Sequence, residues 1–199
     1  MRVLLASNNG HKLTEVRAIL GPLGAEVISP AELKLALDVL EDGDTFEANA
    51  VKKAEAFRDA SGLTVLADDS GLEVDALGGQ PGVLSARYAG PGASDADRVA
   101  LLLRSLVGVP ARSRTARFVC AVAIASPGRA TVTVRGECTG AIAIEPHGDN
   151  GFGYDPVFRP TGRATTMAEL TPDSKNRISH RARAFRAASV LLSDHSAAG

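Results

Sequence analysis

The sequence lacks a long hydrophobic run, and no window approaches the roughly 18 apolar residues that a membrane-spanning helix needs. The first apolar stretch, residues 3–6, is also too short for the hydrophobic region of a signal peptide. Only two cysteines occur, Cys120 and Cys138, and their spacing favours reduced packing residues. A net charge of −1 argues against a general nucleic-acid binder, which normally carries a basic excess. We therefore expect a cytoplasmic protein that acts neither on nucleic acid nor at a membrane.

The 199 residues, 45% of them hydrophobic, are enough for one well-buried core, and we expect a single domain over residues 1–199. Short apolar runs alternate with segments of helical periodicity along the first third of the chain, which is typical of an α/β protein. The run at 117–126 is apolar on both alternating faces and predicts a central strand. A turn joins it to a second strand pattern, so a mixed sheet is expected.

The stretch LADDSGLEV places two carboxylates side by side after an apolar run. Residues 64–67 predict a buried strand that ends where Asp68 and Asp69 begin. Adjacent like charges at a strand end repel each other, and burial strengthens the repulsion. A solvated turn would explain them, because Asp, Ser and Gly favour turns. A divalent cation would explain them equally well, because it converts the repulsion into ligation.

The segment SNNGHK, residues 7–12, lies between a predicted strand and a predicted helix. Backbone N–H groups at a helix N-terminus bind anions, and Lys12 adds a positive charge, so a triphosphate site is plausible. The chain contains no Walker A motif. A simple Asn/Gly turn is the alternative.

Two later segments also carry polar or aromatic side chains suited to a nucleotide. In GFGYDPVF, Phe152 could stack on a base and Asp155 could accept a hydrogen bond, although a turn with Phe152 in the core fits the pattern too. The basic segment at 175–186 could meet phosphates, or it could simply form a solvated helix face.

Together, five segments resemble the inosine triphosphate pyrophosphatase family, also called the non-standard purine NTP pyrophosphatases, from residue 3 to about residue 192. They are, in order, SNNGHK, DTFEANAVKKA, ADDSGLEVDALGGQPGVLSARYAG, GFGYDPVF and ISHRARA. The resemblance implies an elongated mixed β-sheet flanked by helices, with two lobes and a nucleotide-binding cleft between them. It also implies a homodimer that uses Mg²⁺ to hydrolyse XTP, ITP and dITP to the monophosphate and pyrophosphate, which removes deaminated purines from the nucleotide pool.

The resemblance further assigns roles to individual residues. Asp69 would be the catalytic general base and would bind the metal together with Asp68 and Glu41, although Asp42 is an alternative to Glu41. Residues 7–12 would hold the phosphates, and the rest would contact the nucleotide or its base. The expected substrate-binding residues are Ser7, Asn8, Asn9, Gly10, His11, Lys12, Ser70, Phe152, Gly153, Tyr154, Asp155, Lys175, His180 and Arg181.

Base selectivity has a physical reason in this interpretation. His180 and Arg181 would donate hydrogen bonds to the 6-oxo group of inosine or xanthine, and adenine's 6-amino group would leave those donors unsatisfied. Ser174 stands where many family members have an acid, so the partner of Lys175 is left open.

Three other functions fit parts of the pattern. The Maf-like nucleotide pyrophosphatases share the general fold, but they usually begin with a Ser-x-Ser-Pro-Arg-Arg loop. A nucleotide-sensing module would bind triphosphate without releasing pyrophosphate. An interaction domain with polar loops would show no thermal shift with nucleotides.

Overall fold

A computed structural model describes residues 2–196, with side chains described through residue 192. In this part of the chain, six strands and five α-helices are connected by loops and short 3₁₀ turns. The strands are β1 Arg2–Leu5, β2 Glu26–Ile28, β3 Val65–Val74, β4 Thr115–Ala125, β5 Val132–Ile142 and β6 Phe158–Pro160. The helices are α1 Gly10–Leu20, α2 Phe46–Ser61, α3 Asp95–Ser105, α4 Pro172–Ile178 and α5 His180–Ser196.

The strands form one mixed sheet in the order β2-β1-β3-β4-β5-β6. Strand β1 is parallel to both of its neighbours, whereas β5 and β6 are antiparallel. The prediction of an α/β fold with a mixed sheet flanked by helices is therefore confirmed. The predicted two lobes with a nucleotide-binding cleft stay a prediction.

The described backbone divides into two compact units, each with its own hydrophobic core. Unit 1 comprises the described residues of Met1–Asp69, Cys120–Gly136 and His180–Gly199, and unit 2 comprises Ser70–Val119 and Glu137–Ser179. In unit 1, buried side chains of α1 and α5 pack against inward-facing residues of the strands, among them Leu66. No helix among residues 2–196 is long and apolar enough to cross a membrane.

Strand β3 continues well beyond the point at which the sequence predicts its end. It spans Val65–Val74, so Asp68 and Asp69 lie within the strand and the expectation that they follow it is wrong. The turn-forming tendency of Ser70 and Gly71 is overridden by pairing within the sheet, where both residues are extended.

Helix starts follow local capping chemistry, with small shifts from the predicted positions. The apolar pattern that begins at Leu13 predicts the start of α1 there, but the helix begins at Gly10, because the Asn9 side chain accepts a hydrogen bond from the Lys12 backbone N–H. Asp44 followed three residues later by Glu47 predicts a capping box at the start of α2, but the capping residue is Thr45, whose side chain accepts from the Ala48 N–H. Ser94 followed three residues later by Asp97 predicts a cap at the start of α3, and a capping box of these two residues is present there.

Gly136 in β5 allows the first turn of α5 to lie directly against the strand. A Cβ atom at this position would stand 2.3 Å from the His180 carbonyl oxygen and 2.5 Å from the Ala184 nitrogen. Both are backbone atoms, so the helix would have to move. We expect Gly136→Ala to reduce the free energy of unfolding by about 1–3 kcal/mol, measured by urea denaturation.

Gly21→Ala is the matched control for that substitution. A Cβ at Gly21 would meet no atom within 4 Å, and its φ of −55° suits any residue. Equal stability of the two variants would contradict the close approach of α5 to β5.

Candidate active site

Asp68 is a fully buried carboxylate that two cations compensate. The Nζ atom of Lys12 lies 2.9 Å from Asp68 Oδ2, and Nε of Arg181 lies 3.6 Å from the same oxygen. Burial alone would raise the pKa of Asp68, but the charges of Lys12 and Arg181 outweigh it and hold the pKa well below its ordinary value. Asp68 is therefore ionised in the folded protein at neutral pH.

Arg181 is itself buried between two carboxylates. Its Nη1 lies 2.5 Å from Glu15 Oε2, so the guanidinium links α1, α5 and the Asp68 position of β3. Burial opposes the charged form, yet the attraction of Asp68 and Glu15 raises the pKa of Arg181. The structure thus gives Arg181 a bridging contact that the sequence does not reveal, and its contact with a base or phosphate stays a prediction.

Asp69 has a different environment, because neighbouring side chains in an extended strand point to opposite faces of the sheet. Its Oδ2 accepts a hydrogen bond of 2.9 Å from Nδ2 of Asn49 on α2. Burial raises the pKa of Asp69 above its ordinary value, against the lowering effect of the Asn49 hydrogen bond. The two adjacent carboxylates therefore differ in their closest contacts: Asp68 meets Lys12 and Arg181, and Asp69 meets the neutral amide of Asn49, while the charge of Lys53 acts on both.

Asn49 is a site residue that the sequence interpretation missed. It is buried, and its side chain also accepts a 2.7 Å hydrogen bond from the Gly43 backbone N–H. A polar side chain on the apolar face of α2, between Phe46 and Ala50, is the signal that could have identified it.

Lys53, also missed, lies one helical turn after Asn49 and forms an ion pair with Glu41. Its burial would lower the pKa of the ammonium group, but Asp68, Glu41 and Asp69 together raise it. Glu41 in turn adds to the raised pKa of Asp69. Glu41, Lys53 and Asp69 therefore interact as one charged group.

Asp42, the alternative to Glu41, makes a different contact. Its carboxylate lies 2.6 Å from Nζ of Lys52, and the two side chains are about half exposed. Glu41 therefore acts electrostatically on Asp69, whereas Asp42 is paired with Lys52.

The carboxylates around Asp69 fit a Mg²⁺ ion as a partial ligand set. Within residues 2–196, no group of three or more His, Cys, Asp and Glu side chains is arranged to hold a metal. Mg²⁺ typically takes one or two carboxylates and completes its shell with substrate phosphates and water. Asp69 and Glu41 would supply two such carboxylates, with Asp68 adjacent in the strand; Glu41 is paired with Lys53, and Asp68 is paired with Lys12 and Arg181.

The predicted phosphate segment consists of a short loop and the first turn of α1. Ser7, Asn8 and Asn9 precede the helix, while Gly10, His11 and Lys12 begin it. The residues from Asn8 to His11 are exposed. The position of Lys12 in a polar loop predicts an exposed lysine, but its side chain is only 19% exposed and contacts Asp68, so that prediction is wrong.

In unit 2, Asp155 holds the ends of the predicted base-binding loop together. Its Oδ2 accepts hydrogen bonds from the Phe152 backbone N–H at 3.0 Å and from Lys175 Nζ at 2.7 Å. The same ammonium lies 4.9 Å from the centroid of the half-buried Phe152 ring. Asp155 is thus the partner of Lys175 that the sequence left open, and Ser174 instead bonds to the capping residue Thr171.

The remaining predicted residues occupy defined positions. Gly153 has a φ of +64° and donates its N–H to Asp95 Oδ2 at 2.6 Å. Tyr154 is buried, its hydroxyl donates to the Ser85 carbonyl oxygen at 2.9 Å, and burial raises its pKa. Ser70 is a half-buried residue of β3, and the buried His180 begins α5.

Comparison with known proteins identifies close relatives over nearly the whole chain. A family model described as the Ham1 family matches residues 3–190. A dITP/XTP pyrophosphatase of Geobacillus kaustophilus is 54% identical over 183 residues, which are 92% of this chain and 90% of the relative. One from Bacillus subtilis is 49% identical over 95% of this chain and 96% of its own.

Solved structures give the same result for the fold. The structure of a HAM1 protein from Coxiella burnetii is 41% identical, has a TM-score of 0.88, and matches 98% of this chain and 99% of its own. The family resemblance predicted from the five motifs is confirmed.

Proposed function

The chain belongs to the Ham1 family, and we propose that it hydrolyses non-standard purine nucleoside triphosphates to the monophosphate and pyrophosphate. The substrates are XTP, ITP and dITP, by analogy with the relatives named dITP/XTP pyrophosphatase. The observation that carries this proposal is the buried Asp69, whose carboxylate Asn49 orients and whose pKa burial raises. The reaction removes deaminated purines from the nucleotide pool.

Asp69 acts as the general base in this proposal. Hydrolysis requires a water molecule in line with the bond to the leaving pyrophosphate. A carboxylate with a raised pKa accepts the water's proton more readily than an exposed one, because its basicity is closer to neutral pH. The hydrogen bond from Asn49 holds one carboxylate oxygen and thereby fixes the orientation of the group.

Asp69 and Glu41 are the proposed Mg²⁺ ligands, with Asp68 as the third carboxylate that the family resemblance implies. Bound Mg²⁺ supplies electrostatic stabilisation of the charge that develops on the phosphate oxygens. Lys53 adds a positive charge beside Glu41 and Asp69, where it limits the repulsion between them.

Substrate contacts are proposed from the exposed and half-buried groups. The backbone N–H groups and side chains of residues 7–12 bind the phosphates at the start of α1. Phe152, in the loop that ends at Asp155, stacks on the base. Ser70 contacts the nucleotide. Lys175, His180 and Arg181 are assigned to the phosphates and the 6-oxo group, as the family resemblance implies.

A panel of nucleoside triphosphates with saturating Mg²⁺ tests the proposal, with pyrophosphate and orthophosphate measured separately. We expect pyrophosphate from XTP, ITP and dITP, and much less from ATP and GTP. Release of orthophosphate alone would indicate a phosphatase. Tight binding without turnover would favour a nucleotide-sensing module.

The metal assignment predicts different effects for two neighbouring acids. Glu41→Gln should raise the Mg²⁺ concentration for half-maximal dITP hydrolysis roughly 10- to 100-fold, because a ligand beside Asp69 is lost. Asp42→Asn is the matched control and should leave that concentration unchanged, because Asp42 pairs with the half-exposed Lys52. The reverse order of effects would assign the ligand to Asp42.

We also propose that the protein is a cytoplasmic homodimer, with a nucleoside triphosphate as its small-molecule partner and no role for nucleic acid or membranes. Light scattering coupled to size-exclusion chromatography measures the assembly directly. A mass near 20.6 kDa at micromolar concentration would contradict the homodimer.

A further inference from the structure

Two carboxylates hold the backbone of the loop that presents Phe152. The Phe152 N–H donates to Asp155 within the loop, whereas the next N–H, that of Gly153, donates to Asp95 Oδ2 at 2.6 Å. Asp95 is 58 residues away in the chain, in the first turn of α3. The loop is therefore fixed on one side by its own aspartate and on the other side by a helix.

Asp95 is held in place by Arg98. The guanidinium forms an ion pair with the other carboxylate oxygen of Asp95, and it donates hydrogen bonds to the carbonyl oxygens of Ala86 at 3.1 Å and Ala93 at 2.6 Å. Through Arg98, these bonds connect the Asp95 side chain to residues 78–94, a Gly/Pro-rich segment that precedes α3. The bonds of Arg98 therefore restrain the Asp95 side chain, which is 45% exposed, at the position where it accepts from Gly153.

The backbone position of α3 depends on a different set of bonds. Ser94 and Asp97 form a capping box, in which Asp97 accepts from the Ser94 N–H at 2.9 Å and Ser94 Oγ accepts from the Asp97 N–H at 3.1 Å. The first turn of α3 therefore contains one acid that stabilises the helix and another that reaches the loop. This division provides an internal control.

We infer that Asp95 is a positioning residue for the nucleotide base, because it fixes the Gly153 peptide and with it the direction of the Phe152 ring. This inference rests on the proposed function, in which Phe152 stacks on the base. Gly153 adopts a left-handed backbone conformation, with a φ of +64°. Because glycine has no side chain, it can change readily from this conformation to other backbone conformations. Without Asp95, substrate binding would have to order the 152–153 peptide, so binding weakens while the chemical step is retained.

The experiment compares Asp95→Ala, Asp95→Asn and Asp97→Ala by KM and kcat for dITP, and by thermal denaturation. For Asp95→Ala we expect the KM for dITP to rise roughly 10- to 100-fold, because the substitution removes a hydrogen bond to a charged group. We expect kcat to stay within a few-fold of the parent value. Asp95→Asn should recover part of the affinity, because its amide oxygen still accepts from Gly153. Asp97→Ala should lower Tm and leave KM unchanged.

Inorganic tripolyphosphate, which has no base, separates loop positioning from general damage. Its inhibition constant against dITP hydrolysis should be the same in the parent and in Asp95→Ala. An equal loss of affinity for dITP and tripolyphosphate would overturn the inference, as would a KM for Asp95→Ala no higher than that of Asp97→Ala. If Asp95→Ala does not fold, Asp95→Asn decides by the same two comparisons.

Failure of the proposed function has a separate signature. In that case the parent protein itself releases no pyrophosphate from dITP. If the parent protein does release pyrophosphate from dITP, and the folded Asp95 variants bind dITP as tightly as the parent, only the positioning role of Asp95 is overturned.

Discussion

Replacement of Asp69 by Asn is expected to reduce kcat for dITP roughly 100- to 10,000-fold, the usual contribution of a general base. The amide keeps the size of the side chain and can still bond to Asn49, but it cannot accept the proton of the attacking water. The same change should leave Tm unchanged or raise it. Since burial raises the pKa of Asp69, its ionised form destabilises the folded protein at pH 7, and a neutral amide removes that cost.

Asp59→Asn is the control for this substitution. Asp59 is an exposed acid near the end of α2, the helix that also carries Asn49. Both variants should show the parent's circular dichroism spectrum. A kcat for Asp69→Asn within a few-fold of the parent would remove Asp69 from the mechanism.

Arg181→Ala should cost about 3–5 kcal/mol in the free energy of unfolding, which urea denaturation measures. The substitution leaves the fully buried Asp68 with Lys12 as its remaining close cation, and it deprives Glu15 of its 2.5 Å partner. Glu15→Gln should cost less, because it leaves the contact between Arg181 and Asp68 in place.

Arg183→Ala, an exposed position on the same helix, is the control and should change stability by less than about 1 kcal/mol. An Arg181→Ala variant as stable as this control would contradict the bridging role. The ratio of kcat/KM for ITP and ATP tests the separate assignment to the base. If Arg181 also donates to the 6-oxo group, the two values converge in the folded variant, whereas a purely bridging residue lowers both by the same factor.

The two roles of Arg181 have different physical requirements. A residue that bridges Asp68 and Glu15 must keep its guanidinium buried, where both carboxylates raise its pKa. A residue that reads a base must turn a donor towards the substrate. The stability and selectivity measurements therefore distinguish contributions that a loss of activity alone would combine.

The sequence by itself was sufficient for the family, the α/β class and several local elements. The pattern at 26–28 predicts a short strand, which is β2, Glu26–Ile28, and the sequence around Ser94 and Thr171 predicts the N-caps that α3 and α4 have. The helix caps depend on interactions between residues three positions apart, which a single sequence displays directly. The motifs around Asp69 and Phe152 are similarly local, and together with the other motifs they were enough to identify the family.

Tertiary structure alone decided which polar and charged groups meet. Glu15, one of the two partners of Arg181, is 166 residues away in the chain. Asn49 and Asp69 are 20 positions apart, and Asp95 and Gly153 are 58 positions apart. Local turn propensity also misplaced the end of β3, because pairing within the sheet outweighs it. Once the strand is extended through Asp68 and Asp69, its alternation sends the two carboxylates to opposite faces. One of them then meets Lys12 and Arg181, and the other meets Asn49, because helices from distant parts of the sequence cover those faces.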